Sequence, residues 1–94
     1  MNSAIETTII DILKDYDPLK IAIFGSFARN EQSQDSDIDI LVEFGTTLTL
    51  LQLANIERKL SQKLGFRVDL VTPGAIKHPI IKNSINKDLK IIYQ

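Results

Sequence analysis

Residues 37–44 read Asp-Ile-Asp-Ile-Leu-Val-Glu-Phe, and this alternation constrains the chain more than any other stretch. Successive side chains of an extended strand point to opposite faces. Ile38, Ile40, Val42 and Phe44 therefore share one face, and Asp37, Asp39, Leu41 and Glu43 share the other. The segment reads as a strand with an apolar side and a side that carries two acids at its start.

The preceding residues prepare that strand. Residues 19–24 form a short apolar run interrupted only by Lys20, and their length and β-branched content mark a buried strand. Gly25-Ser26 ends it, and Phe27-Ala28-Arg29 is placed to start one helical turn. Residues 30–36 are polar throughout and read as a solvated loop.

Helical periodicity flanks this pair of strands. Ser3 with Glu6 fits a capping box, and Ile5, Ile9, Ile12, Leu13 and Tyr16 recur at helical spacing, which predicts a helix over residues 4–15. Asp17-Pro18 ends it, because the residue before proline is pushed out of the helical region. Thr49 with Gln52 is a second capping box, and Leu53, Ile56, Leu60 and Leu64 give a helix over residues 49–64 with Gly65 as its stop.

Residues 66–71 make a third strand, and Thr72-Pro73-Gly74 a turn. Ile76, Ile81 and Ile85 form a weaker helical stripe interrupted by Pro79. At the end Leu89, Ile91 and Tyr93 alternate with Lys90 and Ile92, which predicts a short strand. The order implies an α/β (α+β) sandwich, with helices packed on a small mixed sheet of about four strands. With 94 residues, the expectation is a single domain over 1–94 that has little chain left for a second lobe.

Charge and composition narrow the function. Eleven basic against 12 acidic residues give a net charge of -1 without a single-sign run, so strong nucleic-acid binding is not expected. The absence of cysteine excludes a disulfide framework and thiolate metal sites, and it fits a reducing cytoplasm. The first residues lack a basic segment leading into an apolar one, so no signal peptide is read. No apolar run approaches the roughly 18 residues needed to span a bilayer. The expectation is a cytoplasmic protein that does not engage a membrane.

The chemistry sits at the strand ends. Two carboxylates at i and i+2 of a strand project from one face with backbones about 6.5–7 Å apart. From that distance they can share a pair of cations about 3.5–4 Å apart. Magnesium suits such a site, since it takes hard oxygen ligands and keeps positions open for substrate phosphates. A third acid, Asp69, points away from Val68 and Leu70 on the next strand. If that strand neighbours the first, three carboxylates meet at one spot and a divalent cation relieves their repulsion. The Gly25-Ser26 turn supplies the complement: glycine admits close backbone approach to an anion, and a following helical turn aims N–H groups at it.

Gly25-Ser26-Phe27-Ala28-Arg29, then Ser36-Asp37-Ile38-Asp39-Ile40-Leu41-Val42, resembles the minimal nucleotidyltransferases of the DNA polymerase beta superfamily. The likeness runs on through Val68-Asp69-Leu70-Val71 and Ile91-Ile92-Tyr93, so it covers nearly the whole chain. Small stand-alone members are similar to the antitoxin half of a toxin–antitoxin pair whose partner is an all-helical HEPN ribonuclease.

The resemblance implies a nucleotidyltransferase fold and a role for each residue. Gly25 and Ser26 would hold the β- and γ-phosphates of ATP, with Arg29 as a further phosphate contact or a structural ion-pair partner. Asp37 and Asp39 would ligate two Mg2+ ions, and Asp69 the catalytic one. In-line attack on the α-phosphorus would release pyrophosphate and transfer AMP to a hydroxyl of a partner protein. One departure is visible: Asn30 follows Arg29, where such proteins often carry glycine.

Two other functions stay open on the sequence. The domain could neutralise its partner by contact alone, or modify a small molecule held by a separate acceptor-binding chain. A second copy of the chain also remains open as a partner, through a sheet edge or the face of the 49–64 helix. Arg58, Lys59 and Lys63 read as the solvated face of that helix, His78 as a turn residue, and Tyr93 as an edge-strand packing residue.

Overall fold

The computed structural model describes residues 3–25, 27–28, 37–73 and 89–94. Strands β1 (Pro18–Phe24), β2 (Ile38–Phe44), β3 (Val68–Val71) and β4 (Lys90–Tyr93) form one sheet in the order β3-β2-β1-β4. β1 runs antiparallel to both β2 and β4, whereas β2 and β3 are parallel. The sheet is therefore mixed, as the sequence predicts. Parallel neighbours need a crossover connection, and helix α2 (Leu50–Leu64) supplies it between β2 and β3.

Helix α1 (Ser3–Leu13) packs beside α2. Ile9 and Leu13 of α1 and Ile56 and Leu60 of α2 are fully buried against Ile21, Ile23, Ile38, Ile40, Val42 and Val68 of the sheet. Ile38, Ile40 and Val42 are the apolar face expected of the 37–44 alternation, and they lie in this core. Asp39 and Glu43 fall outside it. Side chains of the opposite parity thus belong to the other face of the sheet.

Local chemistry sets the element ends. α1 passes into a 3-10 turn at Lys14–Tyr16, so regular helix stops earlier than residue 15. Asp17 then takes a left-handed backbone at φ 57°. Pro18 bars a helical conformation at residue 17, and aspartate tolerates the left-handed region better than most residues. Its carbonyl accepts a hydrogen bond from the Gly45 N–H at 2.7 Å, which joins the start of β1 to the end of β2. The helix begins at Ser3, and the expected Ser3–Glu6 capping box rests on side-chain placement outside what is described.

The second capping box forms as expected. Thr49 Oγ1 accepts from the Gln52 N–H at 3.1 Å, and Gln52 Oε1 accepts from the Thr49 N–H at 2.8 Å. Gly65 ends α2 at φ 77°, its N–H donating to the Ser61 carbonyl at 2.9 Å. Lys59, read from sequence as a solvated residue, is exposed but also tethers α2 to the 3-10 turn. Its ammonium donates to the Tyr16 hydroxyl at 2.9 Å and sits 5.6 Å from the ring centroid. On the other flank Lys90 of β4 pairs with Glu6 of α1 at 3.2 Å.

The 30–36 loop, the 76–85 stripe and His78 lie outside the described residues. No described helix is long and apolar enough to cross a membrane.

Candidate active site

The core face of β2 fixes which side its acids take. Ile38 and Ile40 are buried, so Asp39 between them is turned to the opposite face, where it is half-buried. Asp37, also half-buried, immediately precedes the strand. Register then fixes the neighbours of Asp39. It pairs with Phe24 of β1 on one side and with Asp69 of β3 on the other.

That register brings the end of β1 to the acids. Gly25 follows Phe24 and has φ +77°, a conformation that favours glycine. A Cβ built there would run into Asp39 Oδ2 and lie 3.4 Å from Asp39 Cγ. Glycine is thus required twice, by its backbone angle and by the carboxylate beside it. Ser26 and Arg29, the other residues expected to bind nucleotide, lie outside the described residues.

β3 carries the third acid to the same region. The Ile38 N–H donates to the Arg67 carbonyl at 2.8 Å, and this bond starts a parallel ladder in which Asp39 and Asp69 are direct partners. Neighbouring strands lie about 4.8 Å apart, with paired side chains on one face. Asp69 is exposed on that face. The three acids therefore occupy one corner of the sheet. As placed, however, no three carboxylate or imidazole side chains among the described residues are gathered closely enough to hold a single metal ion.

The donors available at this corner are carboxylate oxygens, those of Asp37 and Asp39 on half-buried residues, with the Gly25 backbone directly against the Asp39 carboxylate. Hard oxygen donors match a hard divalent cation. The donor set thus fits magnesium, and it offers no soft ligand for a thiophilic metal. A cavity of about 300 Å³ lies elsewhere, lined by Glu43, Phe44, Leu48, Leu53 and Pro73. It lies toward the far ends of β2 and β3, and none of Asp37, Asp39 and Asp69 lines it.

Sequence reasoning missed the groups that hold β3. Ser61 Oγ accepts from the Val68 N–H at 3.1 Å, and Glu57 Oε2 accepts from the Leu70 N–H at 2.9 Å. Both partners are backbone amides, so no residue pattern announces these bonds. The only trace is a serine and a glutamate four apart on α2.

The chain that carries this corner has counterparts among known proteins. The model of the family described as polymerase beta, nucleotidyltransferase, matches residues 7–94. The chain belongs to this family. As a polymerase beta-type nucleotidyltransferase it is an enzyme of the transferase class, and its four-stranded mixed sheet with two described helices is the family's fold.

Among its relatives is a Methanocaldococcus jannaschii protein with a provisional protein adenylyltransferase name. That protein is 58% identical over 79 residues, which cover 83% of this nucleotidyltransferase and 81% of the relative. The protein adenylyltransferase MntA of Thermococcus cleftensis is 41% identical over 68 residues, covering 72% of this chain and 69% of MntA. The fold also superposes on a chain from the solved complex of a tri-AMPylated Shewanella oneidensis HEPN toxin with an MNT antitoxin. There the TM-score is 0.79 at 26% identity, over 99% of this chain and 72% of that one.

Proposed function

We propose that this nucleotidyltransferase moves AMP from ATP onto a hydroxyl of a partner protein, with magnesium, and so serves as the antitoxin of a HEPN-type toxin in the cytoplasm. The observation that carries the reading is the corner where Gly25 abuts the Asp39 carboxylate and Asp69 stands opposite it. Relatives that are named protein adenylyltransferases, and a neighbour solved with an AMPylated HEPN toxin, support the same chemistry and the same kind of partner.

The residues divide the work. Gly25 and Ser26 seat the phosphates, with Arg29 as a further phosphate contact. Asp37 and Asp39 are the residues that would hold magnesium, with Asp69 completing the set. Bound there, the cation would offset phosphate charge and favour the ionised form of an attacking hydroxyl. Asp69, exposed at this corner, would also help deprotonate that hydroxyl. Catalysis would rest on positioning and electrostatic stabilisation of the transferred group.

The test is direct. The purified protein, incubated with its HEPN-type partner, ATP and magnesium, should add about 329 Da per AMP to the partner, and EDTA should abolish the gain. An unchanged partner mass at full occupancy of the complex would sink the transfer reading. Neutralisation of the toxin that survives loss of Asp37 and Asp39 would make contact the function.

A further inference from the structure

β3 is a strand of four residues at the margin of the described sheet, yet it carries the acid that faces Asp39. A marginal strand has one ladder, and its outward N–H groups need other partners. Here Val68 and Leu70, the residues on either side of Asp69, both donate outward to α2. The acceptors are Ser61 Oγ at 3.1 Å and Glu57 Oε2 at 2.9 Å. Ser61 is itself fixed, its hydroxyl donating to the Glu57 carbonyl at 2.9 Å.

The spacings match. Four residues of helix rise about 6 Å, and two residues of strand advance about 6.5 Å. Glu57 and Ser61 thus meet alternate amides of β3 in step, and Asp69 lies midway between the two anchors. Val68 is buried with Ile56 and Leu60, so packing holds the start of β3. Leu70, past the acid, is only half-buried and relies more on Glu57. A hydrogen bond to an ionised carboxylate is about twice as strong as a neutral one.

We infer that Glu57, seconded by Ser61, is a positioning residue: it holds the β3 backbone so that Asp69 stays in register with Asp39. This assignment rests on the functional reading above for its kinetic consequence. Its metal-binding consequence rests on the metal ligands proposed there, and its structural consequence, exchange at the Leu70 amide, depends on neither.

The test uses the whole chain with Mn2+ as probe, comparing wild type with Glu57→Ala, Glu57→Gln, Ser61→Ala, Asp69→Ala and the Glu57→Ala/Asp69→Ala pair. Glu57→Ala should speed exchange of the Leu70 amide and weaken Mn2+ binding by about tenfold, the range in which second-layer partners of metal ligands act. Glu57→Gln, which keeps an acceptor oxygen, should restore most of both. In the Asp69→Ala background, Glu57→Ala should weaken Mn2+ binding no further, because the two act through one group.

In AMP transfer to the partner, Glu57→Ala should lower kcat by a similar factor with KM for ATP within about twofold. Faster Leu70 exchange with unchanged Mn2+ affinity would overturn the inference, as would additivity with Asp69→Ala. Should Glu57→Ala not fold, Ser61→Ala carries the comparison, with faster exchange of the Val68 amide and weaker Mn2+ binding expected and unchanged Mn2+ binding overturning the inference. If wild type binds Mn2+ but transfers nothing, the functional reading fails, and the Mn2+ affinities still decide the role of Glu57.

Discussion

Gly25 lies so close to the carboxylate of Asp39 that no side chain fits between them. The contact joins the end of β1 to the start of β2, so the turn expected to cradle phosphates and the acid expected to hold metal share one atom-to-atom boundary. Gly25→Ala should therefore act on both. A left-handed backbone at a non-glycine residue costs about 1–3 kcal/mol, and the displaced carboxylate should lower AMP transfer by about a hundredfold. Urea denaturation and single-turnover transfer would measure the two effects. Wild-type behaviour in both would refute the contact.

Gly65→Ala is the matched control. Gly65 has the same φ of +77°, but nothing lies within 4 Å of a Cβ added there. Loss of the left-handed helix stop should cost roughly 1 kcal/mol through the backbone alone. Transfer per folded molecule should not change. A large loss of kcat at constant folded fraction would show that α2 is coupled to the corner in some further way.

Asp37→Ala with Asp39→Ala should remove transfer while sparing the fold. Asp39 pairs through its backbone, and neither side chain belongs to the buried core. If the acids bring several kcal/mol of metal-borne stabilisation to the transition state, their loss costs at least about a thousandfold. Circular dichroism should stay that of wild type. Residual transfer within tenfold of wild type would move the chemistry to other residues.

Phe27 links the turn to the core. It is 1% exposed, and its ring meets Phe66 edge-on with centroids 5.2 Å apart and planes at 82°. Phe27→Ala should cost about 3–5 kcal/mol, a large part of the 5–15 kcal/mol typical of a whole domain. Phe27→Leu, which refills most of the space, should cost less than half as much. Thermal unfolding of the two variants would rank them, and equal losses would argue against a packing role.

Much of this could be read from residue order because the informative patterns are local. Period-two alternation at 37–44 placed Asp39 on the face opposite the core, and a capping box with a glycine stop placed both ends of α2. The end of α1 was less legible. Asp17 escapes the proline constraint through a left-handed backbone, and a 3-10 turn replaces the last turn of helix. Glu57 and Ser61 were beyond reach for another reason. Their partners are main-chain amides of a strand brought close only by the crossover, and amides leave no signature in residue identity. The pairing of Asp39 with Asp69 lay between these extremes, since each strand was legible but their adjacency depended on sheet order.

That order, β3-β2-β1-β4, also ranks the site by endurance. β1 and β2 each have two strand neighbours, whereas β3 has one in the described sheet. Amide protection usually falls from the middle of a sheet to its margins, because local opening starts where fewest bonds must break. Phe24 and Asp39 belong to the part that opens last, and Asp69 to a part that opens early. Under mild denaturant the enzyme should therefore keep its grip on nucleotide after turnover has ceased, passing through a state that binds substrate and cannot use it.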